Sequence, residues 1–125
     1  MTGSILLYFG SAMAFIWGVA HIAATRPVVR GFGDISIDKR RILTMEWIAG
    51  GIALCFIGLL VGLVTASGSP GNQVSKVVYI ACAAALLSFV GLTAVTGFRT
   101  SVAPVKACPF VDGTAAILII TGVLL

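Results

Sequence analysis

Three ionisable residues sit where a hydrophobic chain gives them no water: His21, Glu46 and Asp112. A carboxylate or imidazole placed inside a bilayer costs between about 3 and 15 kcal/mol near its centre, so each must find a partner or do work. His changes charge near neutral pH, and carboxylates hold protons, cations or hydrogen-bond donors. Trp17, Trp47, Arg99, Cys108 and Thr114 fall at a similar level and are the expected neighbours of such a cluster. Three readings stand side by side. The group is a polar pin that fixes helix register, paired with Arg99 or Lys106; or a pocket for a small molecule, headgroup or proton; or carboxylates that reach the surface and face nothing.

The elements that would position these residues follow from composition. The chain has 125 residues, 59% hydrophobic and only 10% charged, with a mean hydropathy of +1.14. A soluble domain carries roughly 25% charged residues to keep its surface wet. The charges here cannot coat a globule, so lipid must be the solvent for most of the surface. Spans of about 20 apolar residues are needed to cross the hydrocarbon. Four fit: residues 4–24, 42–64, 76–96 and 108–125. The fold class is therefore all-α, an integral membrane four-helix bundle forming one domain. Met1-Thr2-Gly3-Ser4 lacks the basic residues of a signal peptide, so the first apolar stretch reads as a retained span.

Turns separate the spans. Arg26 to Arg41 is the most polar segment; Gly31-Phe32-Gly33-Asp34 is a turn candidate within it, and Asp34, Ser36 or Asp38 can cap span two. Ala66 to Asn72 is rich in turn formers, and Pro109 falls in the expected first turn of span four. Small residues form stripes: Gly10, Ala14 and Gly18; Gly51, Cys55, Gly58 and Gly62; and Ala81, Ala85 and Ser88 with Leu92. Such stripes let helices approach closely in lipid.

Basic residues set the orientation. Arg26, Arg30, Lys39, Arg40 and Arg41 lie in the first connection, Arg99 and Lys106 in the third, and only Lys76 at the second. The positive-inside rule puts the first and third connections in the cytoplasm and both termini on the non-cytoplasmic side. The setting this implies is the inner (plasma) membrane. The five basic residues of the first connection would bind anionic lipid headgroups at about 1 kcal/mol each. They explain the net charge of +4 without nucleic acid. A homo-oligomer or a larger membrane complex is the expected kind of protein partner.

Cofactors cannot be assigned from these residues. His21, Glu46, Asp112 and Cys108 contain no local ligand pair, so no metal site is expected. Cys55, Cys82 and Cys108 form no CxxC, and a buried thiol is ordinarily a small apolar filler. Cys108 stands apart, since the start of a helix favours a thiolate.

The pattern Trp17-Gly18-Val19-Ala20-His21, Gly31-Phe32-Gly33-Asp34 and Met45-Glu46-Trp47 resembles a group of small bacterial membrane proteins. At the level of four spans it also resembles the DoxX-like proteins over most of the chain. That resemblance implies quinone- or thiol-linked redox chemistry, with no catalytic residue carried over. Small multidrug transporters share the length and span number, but their membrane-embedded Glu lies in the first span, where this chain has no carboxylate. Three functions follow as expectations: a non-enzymatic bundle or subunit, a small transporter or proton-coupled binding protein, and a membrane oxidoreductase subunit.

Overall fold

In hydrocarbon each backbone amide must be satisfied within the chain, which leaves helices as the economical solution. The computed structural model describes residues 1–125, and 88 of its 104 backbone hydrogen bonds lie within helices. There are five: α1 (Thr2–Ala23), α2 (Thr25–Arg30), α3 (Ile37–Ala66), α4 (Gln73–Gly97) and α5 (Ala103–Leu124). Four are long and apolar enough to cross a membrane. Large apolar side chains point outward along each of them, among them Phe9, Ile16, Phe56, Leu63, Ile80, Leu87 and Ile117. This is a multi-pass membrane protein.

Local chemistry sets the boundaries. Ser36 is the residue that caps α3, its hydroxyl accepting from the Lys39 amide at 3.4 Å, and Asn72 caps α4 by accepting from Val74 at 2.9 Å. α3 therefore starts at Ile37, earlier than the expected residue 42. With 30 residues it is about 45 Å long, against about 30 Å of hydrocarbon, so its charged first turns stand clear of the apolar zone. α5 starts at Ala103, with Pro104 in its first turn. Pro109 consequently lies inside the helix and not at its start, which corrects the expected placement.

The first connection is not simply a loop. Thr25 donates to the Ile22 carbonyl at 2.7 Å, and the chain then makes the short helix α2, whose Val28 and Val29 are each 6% exposed. The Gly31–Asp34 turn follows. Gly33 has φ +70°, a conformation that a β-carbon disfavours.

α1 is central. It packs against α3 on one flank and α5 on the other; α4 packs against α5 and meets α3 only lightly. The lateral order is α3–α1–α5–α4. The α3–α4 junction is closed by paired hydroxyls, Thr65 and Tyr79, at 3.1 Å, both buried.

Glycine makes the two seams of α1 possible. A β-carbon on Gly58 would stand 2.6 Å from the Phe15 amide nitrogen, and one on Gly18 would stand 2.7 Å from the Gly51 carbonyl oxygen. Across the other seam, one on Gly3 would stand 2.6 Å from the Gly122 carbonyl oxygen. The expected stripes of spans one and two are thus helix contacts. Of the span-three stripe only Ala85 packs against the core, while Ala81, Ser88 and Leu92 are exposed. α4 buries Ser75, Tyr79, Cys82, Ala83 and Leu86 instead.

One polar contact fastens the α1–α3 seam, the Ser11 hydroxyl donating to the Gly58 carbonyl at 2.7 Å. Interhelical hydrogen bonds in membranes average about 0.6 kcal/mol. Ser11→Ala is expected to lower stability by about that much, measured as the SDS fraction needed to unfold the protein in mixed micelles.

Candidate polar site at the α1–α5 seam

Antiparallel packing brings the end of α1 against the beginning of α5. On α5, Pro104, Cys108 and Asp112 recur every four residues and so share one face. On α1, Trp17 and His21 are one turn apart. Trp47 enters from α3.

The outer part of this arrangement is a cleft of about 180 Å³ lined by Trp17, Ala20, His21, Ala24, Trp47 and Pro104. His21 and Trp47 stack across the α1–α3 seam with ring centroids 4.0 Å apart and planes 12° from parallel. The Trp47 indole N–H donates to the His21 backbone carbonyl at 2.6 Å. That oxygen is near the end of α1, where the helix supplies no amide partners of its own. Gly50 lies alongside the imidazole, where an added β-carbon would sit in ordinary contact, 3.6 Å from His21 Nε2. Trp47→Phe keeps an aromatic ring beside the imidazole but removes the donor. It should cost about 1 kcal/mol of stability in the same SDS titration.

Deeper in the seam the site turns polar. Cys108 is 3% exposed and neighbours both Trp17 and Asp112. Its thiol donates to the Pro104 carbonyl at 3.4 Å. Asp112 is 2% exposed, and its Oδ1 accepts no hydrogen bond. Trp17 Nε1 is also buried and makes no well-formed hydrogen bond, with the weakly accepting Cys108 thiol beside it. An acceptor and a donor are therefore both left without partners along one seam, each a costly arrangement in a low-dielectric interior.

The expected cluster is only partly assembled. Asp112 stands nine residues past Ala103, about 13 Å along α5, so it lies deeper than a helix starting at residue 108 would place it. His21 is two residues from the end of α1. Glu46 is exposed, contrary to the expectation that it would meet the other two inside the bundle. The face of α3 turned inward carries Gly51, Leu54, Ile57, Gly58 and Val61, and Glu46 falls off that stripe. Arg99 and Lys106 are exposed and do not reach Asp112. Thr114 is exposed as well, its hydroxyl returned to the Phe110 carbonyl at 2.7 Å. No three His, Cys, Asp or Glu side chains gather as a metal-binding group.

Two contributors are not among the expected site residues: Pro104, which walls the cleft, and Gly50, which lies against the His21 ring. The four-residue spacing of Pro104, Cys108 and Asp112 is a sequence signal that points to the first. Nothing in the sequence distinguishes Gly50 from its neighbour Gly51. A larger groove of about 320 Å³ runs between α4 and α5, lined only by hydrophobic residues including Tyr79, Ile80 and Leu87. It offers no comparable chemistry.

The likeness to DoxX-like proteins rests on the four-span pattern of the sequence alone. No family model, curated protein or solved structure matches this chain.

Proposed function

We propose that this is a non-enzymatic membrane protein whose α1–α5 seam binds a small neutral molecule carrying both a hydrogen-bond donor and an acceptor. The buried, unpartnered Oδ1 of Asp112 carries this reading. A hydroxyl or amide on the ligand would donate to it, while the Trp17 indole would donate to an acceptor on the same molecule. The flanking Trp17, His21 and Trp47 rings suit an aromatic or quinonoid framework. The many basic residues at this end disfavour a cation approaching Asp112 from solution.

By the positive-inside rule we place this end of the bundle in the cytoplasm and the termini outside, in a plasma membrane. The cleft then opens toward the cytoplasmic leaflet.

The two tryptophans of the chain both line the cleft, so intrinsic fluorescence reports on it directly. Titration with decylubiquinol under anaerobic conditions, whose hydroxyls can donate and accept, is expected to quench their emission saturably, and tetramethylammonium to leave it unchanged. Asp112→Leu, which removes the acceptor and keeps the branched outline in a larger side chain, should weaken the decylubiquinol response at least about tenfold. Equal quenching of the parent and Asp112→Leu, or saturable binding of tetramethylammonium, would overturn the reading.

A further inference from the structure

Three guanidiniums from two helices converge on one cleft at the basic end. The cleft, about 210 Å³, is lined by Thr25, Arg26, Val29, Arg30, Arg40 and Thr44. From this geometry we infer a discrete binding site for a phosphoryl group, the headgroup phosphate of an anionic phospholipid, formed where α2 crosses the start of α3.

The site is built, not incidental. Val28 and Val29 are buried and pin α2 in place, and α2 lies against α3. That fixes Arg26 and Arg30, one helical turn apart on α2, beside Arg40 and Thr44, one turn apart on α3. Like charges at this spacing repel. Guanidiniums present a planar fork that matches phosphate oxygens two at a time. The two hydroxyls are already committed, Thr25 to the Ile22 carbonyl and Thr44 to the Arg40 carbonyl at 2.8 Å. The arginines are therefore the donors, and Thr44 stiffens the turn that presents Arg40.

Position favours a lipid over a soluble phosphate. Arg26 follows the end of α1 by three residues and Arg40 is four residues into α3, which places the cleft at the boundary of two spans. Just beyond it Ile22, Ile42 and Met45 are exposed, an apolar surface on which acyl chains can lie. Basic pockets between transmembrane helices on the cytoplasmic side are a recurrent way to hold such headgroups. The site goes beyond the general attraction of a basic loop, because Lys39 and Arg41, equally charged and adjacent in sequence, do not line it.

The test is thermal unfolding of the detergent-solubilised full chain with dioleoylphosphatidic acid, dioleoylphosphatidylcholine or inorganic phosphate. The acid should raise the melting temperature saturably and phosphatidylcholine should not. Arg26→Gln/Arg40→Gln should weaken the half-saturating concentration about 30-fold, the loss expected for two interfacial charges. Lys39→Gln/Arg41→Gln, which lowers only the general attraction of the basic surface, should weaken it clearly less. Arg26→Lys/Arg40→Lys, which keeps the charge and is expected to fold as the parent does, should still weaken binding several-fold, because the forked geometry is lost. A full response to inorganic phosphate alone would overturn the lipid assignment in favour of a soluble phosphate. Equal losses in the two glutamine pairs, or none in either, would overturn the site.

Discussion

Replacing Gly58 by valine should separate α1 from α3 and destabilise the protein by about 3 kcal/mol or more, the upper part of the range for overpacking. The size of the effect follows from what the new atoms meet. A β-carbon at this position falls 2.6 Å from the Phe15 nitrogen, 2.7 Å from the Ser11 oxygen and 2.9 Å from the Phe15 α-carbon. All three are backbone atoms of a rigid helix and cannot swing aside. The Ser11 to Gly58 hydrogen bond would be lost in the same movement. Gly91 provides the control, since an added β-carbon there meets nothing within 4 Å. Gly91→Ala should change stability by no more than about 0.5 kcal/mol. Unfolding by SDS in mixed micelles, followed by tryptophan emission, measures both. Equal losses from the two substitutions would show that close approach at Gly58 is not what joins the helices.

Asp112→Asn should have the opposite sign. A carboxylate oxygen buried without a partner lowers stability, whereas an amide is easier to bury. In the absence of ligand the asparagine variant is therefore expected to resist SDS better than the parent, by about 1–2 kcal/mol. Its response to decylubiquinol should be weaker, because a neutral carbonyl is a poorer acceptor for the quinol hydroxyl than a carboxylate. A gain in stability accompanied by a loss of binding is the behaviour of a residue kept for a ligand. A structural pin predicts the reverse, a loss of stability on substitution, and that result would remove Asp112 from the binding site.

Which parts of this architecture could be read from the residues depends on what lipid does to sequence patterns. Span number came from charge scarcity and segment length, and the basic loops separate the two ends of the bundle. The stripes Gly10/Ala14/Gly18 and Gly51/Cys55/Gly58/Gly62 marked close-packing faces but not which helices they join: Gly18, Gly51 and Gly58 fall in the α1–α3 seam, whereas Gly10 packs against Ala115 and Ile119 of α5. The same reasoning misplaced α4. A membrane helix is apolar on all sides, so a small-residue stripe marks an interface only when a neighbouring helix is present to use it. Ala81 and Ser88 have none, and the contacts of α4 are made by Tyr79, Cys82 and Leu86.

The polar residues carried the same ambiguity. Hydropathy gave the level of His21, Glu46 and Asp112 but not the direction in which each side chain points. Asp112 shares a face with Cys108 and Ala115, which pack inward, and is buried; Glu46 lies off the inward stripe of α3 and is exposed. The short helix α2 was hidden for a different reason. Six residues are too few for periodicity to show, and its two buried valines sit among arginines that made the segment read as loop. That missing helix is also what gathers Arg26, Arg30 and Arg40 on one cleft, so charge alone could name five headgroup-binding residues but could not separate these three from Lys39 and Arg41.

The arrangement of four crossings with opposite ends of opposite character is open to direct measurement. In a background where Cys55, Cys82 and Cys108 are replaced by alanine, single cysteines at Ser36→Cys, Ser69→Cys and Ser101→Cys would be exposed to a membrane-impermeant maleimide in sealed vesicles of known sidedness. Ser36 and Ser101 positions should react together from the cytoplasmic side only, and the Ser69 position only from the opposite side. Labelling of Ser36 and Ser101 positions from different sides, or of all three from one side, would contradict the four-span bundle on which the seam and its polar site depend.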